Sequence, residues 1–170
     1  ELAFFHLQKN RAIGGTFAAL LGDKLFNGGV AFAAEAGEVV AKVGFSSVAE
    51  FPNGFVSGTE NQVRAFGWVV EEKPDRKGKL VKVQTLKSLW TVNQVAAANC
   101  LVVAGDKVVA GGKEQITILD GRISKEENPD ASRVLWKSEL AGTACGLAIS
   151  DNRLFVATND GVIHCYAPGG

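Results

Sequence analysis

Short apolar runs separated by polar turns recur along most of the chain, and this pattern predicts β-strands joined by tight turns. The clearest example is the order strand 134–140, apolar run 146–149, turn 150–152, strand 153–157, turn 158–161 and strand 162–166. Asp-Gly and Asn-Gly type turns between β-rich runs are a strong hairpin signal. Helical periodicity is weak throughout, so we expect an all-β chain with little helix.

The strand pattern is an internal repeat. At an offset of 46 residues, the segment 88–118 aligns with 134–164 without a gap, so that Trp90 falls on Trp136. An alignment of this length indicates two copies of one structural unit, and a fixed period of this size is typical of repeat architectures.

Two further copies lie upstream in the chain. Residues 22–29 read almost as residues 105–112, and residues 54–66 follow 107–119 without a gap. One equivalent position in each copy, at spacings of 30, 53 and 46 residues, is occupied by Leu25, Phe55, Val108 and Leu154. The average spacing is about 43 residues, which is typical of the four-stranded blades of a β-propeller.

The repeat predicts an all-β fold, a β-propeller built of four-stranded antiparallel blades, with about four blades in this chain. We expect a single domain over residues 1–170, with approximate blades at 1–35, 36–70, 86–122 and 132–168 and insertions at 71–85 and 123–131. Half a propeller would expose two large apolar blade faces, which monomers rarely leave open. We therefore expect the chain to be part of a larger propeller, completed by further blades of the same protein or by partner copies, and not a closed four-bladed ring.

Three segments resemble the repeat of the PQQ-like (quinoprotein-type) β-propellers, which reads roughly Ala-Leu-Asp-Ala-x-Thr-Gly-x-x-Leu-Trp. They are residues 31–43, 134–137 and 161–167. The resemblance covers nearly the whole chain apart from the insertions, and it implies that Trp90 and Trp136 dock neighbouring blades against each other. It also implies a propeller of seven or eight blades, of which this chain is about half. Val40 and Leu7 stand at the matching positions of the other two copies, so those blades depart from the family pattern.

Composition narrows the class of protein. The 18 Lys and Arg residues balance 18 Asp and Glu residues, whereas a nucleic-acid binder usually carries a basic excess. Apolar residues make up 46% of the chain and charged residues 21%, as in an ordered globular domain. The longest uncharged apolar stretches, near 16–22 and 95–105, are too short to span a bilayer. We therefore expect neither a nucleic-acid partner nor a membrane span.

Only the family resemblance indicates a cellular compartment for this protein. No secretory signal pattern is visible at the start of the sequence. Similar propellers of Gram-negative bacteria act outside the cytoplasm, some in outer-membrane assembly. The resemblance therefore implies a periplasmic or extracellular protein.

The three cysteines, Cys100, Cys145 and Cys165, form no CxxC pair. We expect them to be small buried residues in strands, with a disulfide between two of them as the lesser alternative. His164 precedes Cys165, and neighbours on a strand point to opposite faces, so the two do not easily share a metal ion. His6 is the only other histidine, and we expect no metal site.

Cofactor chemistry is expected only as an alternative. The quinoprotein dehydrogenases of the resembling family bind PQQ with calcium, use an acidic base and often have two adjacent cysteines, and this chain has no adjacent cysteines. Asp23, Asp106 and Asp151 recur at equivalent places, but each stands in a hairpin turn, where Asp accepts backbone hydrogen bonds. The sequence contains no G-x-S-x-G, H-E-x-x-H or P-loop motif. We therefore assign no catalytic residue and no cofactor, with PQQ and calcium as the alternative.

The insertion at 71–85 is rich in basic residues and follows a tryptophan. Together they form a candidate docking loop for an acidic protein partner, made of Trp68, Lys73, Arg76, Lys77 and Lys79. A solvated loop between blades is the simpler interpretation, and the sequence favours it.

Two functions remain open at this point. The first is a non-catalytic propeller that acts as a protein- or ligand-binding scaffold, which fits the balanced charge and the surface insertions. The second is a portion of a PQQ-dependent or related oxidoreductase whose catalytic residues lie outside this chain. Quinone absorbance and calcium-dependent dye reduction distinguish the two, and the sequence favours the scaffold.

Overall fold

The computed structural model describes residues 18–96, 99–123 and 133–167, which form strands and turns, with no helix that could cross a membrane. The strands are β1 (Ala18–Leu21), β2 (Lys24–Asn27), β3 (Val30–Ala33), β4 (Val39–Lys42), β5 (Ser47–Phe51), β6 (Gly54–Thr59), β7 (Gln62–Pro74), β8 (Leu80–Asn93), β9 (Cys100–Ala104), β10 (Lys107–Asp120), β11 (Val134–Ser150), β12 (Arg153–Thr158) and β13 (Ile163–Tyr166). The all-β fold predicted from the sequence is confirmed.

The strands form three antiparallel sheets. The first sheet contains β1 to β4 and the second contains β5 to β8, each in sequential order, because short turns lead each strand back along its predecessor. The third sheet has the order β13-β12-β11-β10-β9. In the described part of the chain these sheets do not close into a ring.

β10 folds back on itself. Its residues 107–111 pair with β9 and its residues 113–119 pair with β11. The backbone N–H of Gly121 donates to the carbonyl O of Asp106 over 2.8 Å, whereas the 14 residues of a straight strand between them would span about 45 Å. The reversal lies near Glu114, whose φ is 55°.

β11 changes partners halfway along its length. Residues 134–139 and Thr143 pair with β10, and residues 144–150 pair with β12. The third sheet therefore consists of two blocks that share β11. We call the four groups of strands layers one to four: β1–β4, β5–β8, β9 with β10 and residues 134–139, and residues 144–150 with β12 and β13.

A hydrophobic core lies between each layer and the next. Central residues of the three cores are Phe26, Phe55 and Phe66 in the first, Val56, Trp90 and Val108 in the second, and Val109, Ile116 and Leu154 in the third. Successive side chains of a strand point to opposite faces, so the neighbours Phe55 and Val56 are both fully buried, each in a different core. Sheets packed on both faces thus explain the apolar runs without alternation.

The sheets group the strands differently from the predicted blade boundaries. β4 pairs with β3 in the first sheet, although the sequence placed residue 36 at the start of the second blade. β8 likewise pairs with β7 in the second sheet, although residue 86 was placed at the start of the next blade. The hydrogen bonds place β4 and β8 each in the sheet of the strand that precedes it. The sequence repeat shows that these strands exist but not which sheet they join. The number of blades stays a prediction, because residues 1–17 lie outside the described residues.

Residues 71–85 are not a loop between blades, and this corrects the simpler interpretation of the sequence. β7 and β8 continue through them as one antiparallel ladder that extends from the pair Gln62 and Asn93 to the pair Pro74 and Leu80. The second predicted insertion, 123–131, falls outside the described residues except for its first position.

The last repeat is one residue longer than the gapless alignment allowed. Phe55 pairs with Phe66 in the second sheet, whereas the equivalent Leu154 pairs with Tyr166, one position further along the chain. The extra residue lies in the turn before β13, where the backbone N–H of Thr158 donates to Val162 O. The longer turn shifts the pairing register of β13 but leaves the residue types of the strand unchanged. The sequence alignment therefore did not detect the extra residue.

Candidate functional site

A two-stranded ribbon, residues 68–86, extends from the second sheet, and we call it the arm. Its strands are the distal parts of β7 and β8. β6 pairs with β7 only as far as Gly67, so the outer edge of β7 beyond Trp68 has no neighbouring strand in the described residues. β8 is the last strand of its sheet. Both edges of the arm therefore present backbone N–H and C=O groups to which a further strand can be added.

Asp75 fixes the turn at the tip of the arm. Its Oδ1 accepts hydrogen bonds from the backbone N–H groups of Lys77 at 2.8 Å and Lys79 at 2.9 Å. The backbone N–H of Gly78 donates to Asp75 O over 3.0 Å. Gly78 has a φ of 79°, a conformation that glycine adopts without steric cost. The tip is therefore a closed turn with a defined shape.

The arm carries an excess of basic side chains. Lys73 Nζ lies 2.9 Å from Glu71 Oε2, and its hydrogen bond lowers the pKa of Glu71. Arg76, Lys77 and Lys79 form no ion pair with any residue that the structure describes. All three are exposed. The tip is therefore a positively charged surface.

Apolar side chains lie between the charges of the arm. Val70 is 65% exposed, Leu80 62%, and Val81 and Val83 37% each. Because side chains alternate along a strand, Val70 and Leu80 share one face of the ribbon while Val81 and Val83 share the other. Each face thus combines apolar side chains with one acidic and one basic side chain.

Trp68 lies at the base of the arm and not at its tip. Its ring centroid is 5.9 Å from that of Phe55 in the first core, and Lys24 Nζ lies 5.7 Å from its ring centroid. The structure therefore separates the predicted docking residues. Trp68 is partly buried against the core, whereas the basic members of the set are exposed on the arm: Lys73, Arg76, Lys77 and Lys79.

The two repeat tryptophans each contact the layer that follows their own. Trp90 is 7% exposed, and the Arg133 guanidinium lies 5.2 Å from its ring centroid. Trp136 is 37% exposed and makes an edge contact with Tyr166, with ring centroids 5.3 Å apart. Their role in docking blades stays a prediction, and the exposure of Trp136 differs from that of a fully buried docking residue.

Arg64 is a contact between layers that the sequence did not identify. Its Nη2 donates to Val43 O over 2.5 Å and to Gly44 O over 3.2 Å. Its guanidinium lies 5.3 Å from the ring centroid of Phe66. The one sequence feature that could have indicated this role is the presence of a single arginine within the apolar run of β7.

A second charged cluster lies at the end of β10. The Asp120 carboxylate accepts hydrogen bonds from Arg122 Nε at 2.9 Å and Nη2 at 2.6 Å. Arg133 Nη1 donates to Asp120 O over 3.1 Å and to Arg122 O over 2.8 Å. The hydrogen bonds from Arg122 lower the pKa of Asp120 to about 2. The three residues thus hold the two ends of the 123–132 connection together.

The cysteines correct the expectation that all three are buried. Burial raises the pKa of Cys100 to about 12, and the nearby Cys145 adds to that shift. Cys145 and Cys165 are exposed. Cys145 lies where the register with β12 shifts, between Ala144 and Gly146, and Cys165 lies on the outward face of the edge strand β13. All three are free thiols.

In the described ranges no group of three or more His, Cys, Asp or Glu residues could hold a metal ion. The recurrent aspartates lie at hairpin turns. Asp23 pairs with Lys24 at 2.5 Å and Asp106 with Lys107 at 2.9 Å, and these hydrogen bonds lower the pKa of both carboxyls.

Antiparallel sheets of about four strands that follow one another along the chain and pack face to face define the class of this protein as a β-propeller. No protein-family model and no curated protein matches the sequence. Among solved structures, the chain is similar to BamB from Moraxella catarrhalis, with 18% sequence identity and a TM-score of 0.58. It is also similar to the N-terminal domain of Nup170 from Chaetomium thermophilum, solved in complex with Nup53, with 18% identity and a TM-score of 0.56.

These similarities cover most of this chain and a smaller part of each relative. The alignment with BamB covers 89% of this chain and 42% of that chain, and the alignment with Nup170 covers 92% and 27%. The chain therefore spans less than half the length of either structure. At this level of identity the likeness shows the fold.

Proposed function

We propose that this chain is part of a non-catalytic, PQQ-like β-propeller scaffold and that the arm is its docking site for an acidic protein partner. The observation that carries the proposal is the combination of free strand edges, exposed Val70 and Leu80, and a basic tip in one ribbon. The likeness to a Nup170 domain solved with a protein partner supports protein binding as the role of the fold.

The arm binds its partner by strand addition. An extended segment of the partner lies along the free edge of β7 and forms main-chain hydrogen bonds, which supply affinity. Apolar side chains of the segment pack on Val70 and Leu80. Its carboxylates face Arg76, Lys77 and Lys79, and this charge complementarity accelerates association and makes binding sensitive to salt.

The finer assignment to the PQQ-like family and to the periplasm or the extracellular space belongs to the same proposal. Residues 31–43 and 161–167 carry the family pattern, and the propeller fold supports that resemblance. Fractionation of cells of the source organism, with an antibody against the chain, checks the compartment. Recovery of the chain with cytoplasmic markers would contradict this part of the proposal.

Fluorescence anisotropy with a labelled peptide of alternating Glu and Val tests the arm. The triple variant Arg76→Glu, Lys77→Glu and Lys79→Glu is expected to weaken binding at least about tenfold. Raising the salt concentration from about 50 mM to about 300 mM should weaken binding to the wild type as well, because salt screens exposed charges. The matched control makes the same charge change on exposed lysines outside the arm: Lys42→Glu, Lys113→Glu and Lys137→Glu.

Three outcomes contradict the proposal. The first is an equal loss of affinity in both triple variants, which would indicate non-specific charge attraction. The second is unchanged binding when Val70→Ser and Leu80→Ser are combined, because apolar contact is part of the proposed mode. The third is quinone absorbance with calcium-dependent dye reduction in the purified protein, which would establish the oxidoreductase alternative.

A further inference from the structure

The backbone groups of the arm point alternately inward, between its two strands, and outward to its edges. The N–H of Asp75 donates to the carbonyl O of Lys79 over 2.8 Å, so the carbonyl of Lys79 points toward β7. Because this direction alternates along an antiparallel strand, the N–H and C=O groups of residues 80, 82, 84 and 86 point away from β7. The N–H of Trp68 on β7 follows the same alternation, since it points outward and donates to Asn53 O over 2.8 Å.

The outer edge of β8 in the arm is open and carries few of the features that protect an edge strand. β8 is the last strand of its sheet, so none of the described strands covers this edge. Between Leu80 and Leu86 it has no proline, and Lys82 is the only charged residue there. Proline, bulges and several charges are the usual means of preventing a further strand from adding to an edge. The β8 edge is therefore a competent site for strand addition.

This edge is self-complementary in the antiparallel sense. When two copies are paired about Val83, Lys82 of each copy lies opposite Gln84 of the other, and Leu80 lies opposite Leu86. Each outward-pointing residue of one copy then faces an outward-pointing residue of the other, as a hydrogen-bonded antiparallel pair requires. Pairing about Lys82 would place two lysines directly opposite each other, and like charges at such positions are destabilising. Charge and hydrogen bonding therefore both favour the register about Val83.

The side chains on both faces of the arm fit this register. On one face Leu80, which is 62% exposed, meets Leu86 of the second copy, and Leu86 pairs with Trp68 at the base of its own arm. On the other face Val81 and Val83, each 37% exposed, form one apolar stripe with their counterparts. Each face carries one acidic and one basic side chain, so identical faces do not repel each other.

The β7 edge of the arm is less suited to a second copy. Pro74 has no N–H group to donate, and the N–H of Trp68 is already bound to Asn53. Symmetric pairing about Glu71 would bring two glutamates directly opposite each other, which is unfavourable. A second copy therefore prefers the β8 edge and leaves the β7 edge free.

We infer that the β8 edges of two copies pair antiparallel about Val83, so that two arms form one four-stranded sheet across a twofold axis. Such a contact between identical surfaces closes at two copies. It uses neither the β7 edge nor the basic tip, so it stands or falls independently of the proposed acidic partner. One strand from each chain makes a small interface, and the dimer is therefore reversible, with a micromolar dissociation constant.

Cysteine crosslinking tests the register. In the four-stranded sheet the two Val83 residues form a non-hydrogen-bonded pair with Cα atoms about 4.5 Å apart, a separation that a disulfide spans. Val83→Cys, in a background with Cys145→Ser and Cys165→Ser, should give a disulfide-linked dimer when oxidised glutathione accepts the two electrons. Val81→Cys is the matched control, because Val81 is equally exposed and lies on the same face. Its counterpart in the second copy is about 13 Å away along the strands, so it should not crosslink.

Charge variants at Gln84 test the contact without crosslinking. Gln84→Lys places like charges opposite Lys82 at two symmetric positions and should weaken the dimer about fivefold in sedimentation equilibrium. Gln84→Glu places opposite charges at the same positions and should strengthen the dimer by a similar factor. Gln84 is exposed, so both variants should keep the wild-type circular dichroism spectrum.

Three results would overturn the inference. The first is equal crosslinking of the Val83→Cys and Val81→Cys variants, which would indicate random collision or another register. The second is a dimer with the same dissociation constant in the wild type and in both Gln84 variants, because the contact would then lie on another surface. The third is a wild-type chain that remains monomeric at millimolar concentration.

Discussion

Arg64 donates a hydrogen bond from Nη2 to the carbonyl O of Val43 over 2.5 Å, and this bond ties the second sheet to the connection that leaves the first. The same guanidinium lies 5.3 Å from the Phe66 ring centroid and so adds a cation–π contact. One side chain in β7 thus links the second layer to the first, in addition to the apolar core that the two layers share.

Arg64→Met should lower the free energy of unfolding by about 2 kcal/mol, because the carbonyls of Val43 and Gly44 lose a charged donor. Arg64→Lys retains the charge and one donor and should lower it by less. Urea unfolding measures both variants. Arg76→Met on the exposed arm is the control, with an expected change below about 0.5 kcal/mol. Equal effects of Arg64→Met and Arg76→Met would contradict a role in joining the sheets.

Gly54→Ala should prevent close pairing of β6 with β7. A Cβ on Gly54 would lie 1.8 Å from the carbonyl O of Phe66, which is backbone and cannot rotate away. We expect a loss of at least about 3 kcal/mol of stability. Gly146→Ala is the matched control, because its nearest neighbour would be the Ala157 Cβ at 3.7 Å, an ordinary contact. Thermal unfolding compares the two, and a stable Gly54→Ala variant would refute the observed packing.

We expect the ion pair of Asp120 and Arg122 to make a contribution to stability that depends on pH. The pKa of Asp120 in the fold is about 2 against an ordinary value of 3.8, so the ion pair stabilises the fold above about pH 4 and is lost as the pH falls toward 2. Asp120→Asn should cost about 1 kcal/mol near neutral pH, because solvent screens the exposed Arg122. The difference from wild type should shrink below pH 4.

Urea unfolding of both proteins over a pH series checks this prediction. Glu60→Gln removes an equal charge at an exposed turn and serves as the control. A difference between Asp120→Asn and wild type that stays constant down to about pH 2 would show that ionisation of Asp120 contributes nothing to stability.

Cys100 should be the least reactive thiol in the folded protein. With a pKa of about 12 it is almost entirely protonated at pH 8, and the thiolate is the form that reacts. Cys145 is exposed and should react with iodoacetamide at least about a hundredfold faster. Peptide mass spectrometry after timed labelling gives both rates, and labelling in urea should remove the difference. Comparable rates in the folded protein would place Cys100 at the surface.

The sequence by itself determined the all-β class and the repeat. Leu25, Phe55, Val108 and Leu154 were recognisable as equivalents, because strand alternation and turn chemistry are encoded within a few neighbouring residues. The basic residues near position 76 were recognisable for the same reason, since charge is a local property.

The tertiary structure alone decided which sheet each outer strand joins, how far β7 and β8 extend as an arm, and which apolar faces remain open. Cys165 is a small apolar residue of the kind that is usually buried in a strand. It is nevertheless exposed, because in the described residues no further layer packs on its face of β13. Arg64 likewise needs a carbonyl from another sheet to reveal its role. These features depend on hydrogen-bond partners and packing neighbours that are distant in the chain, and no local pattern records them.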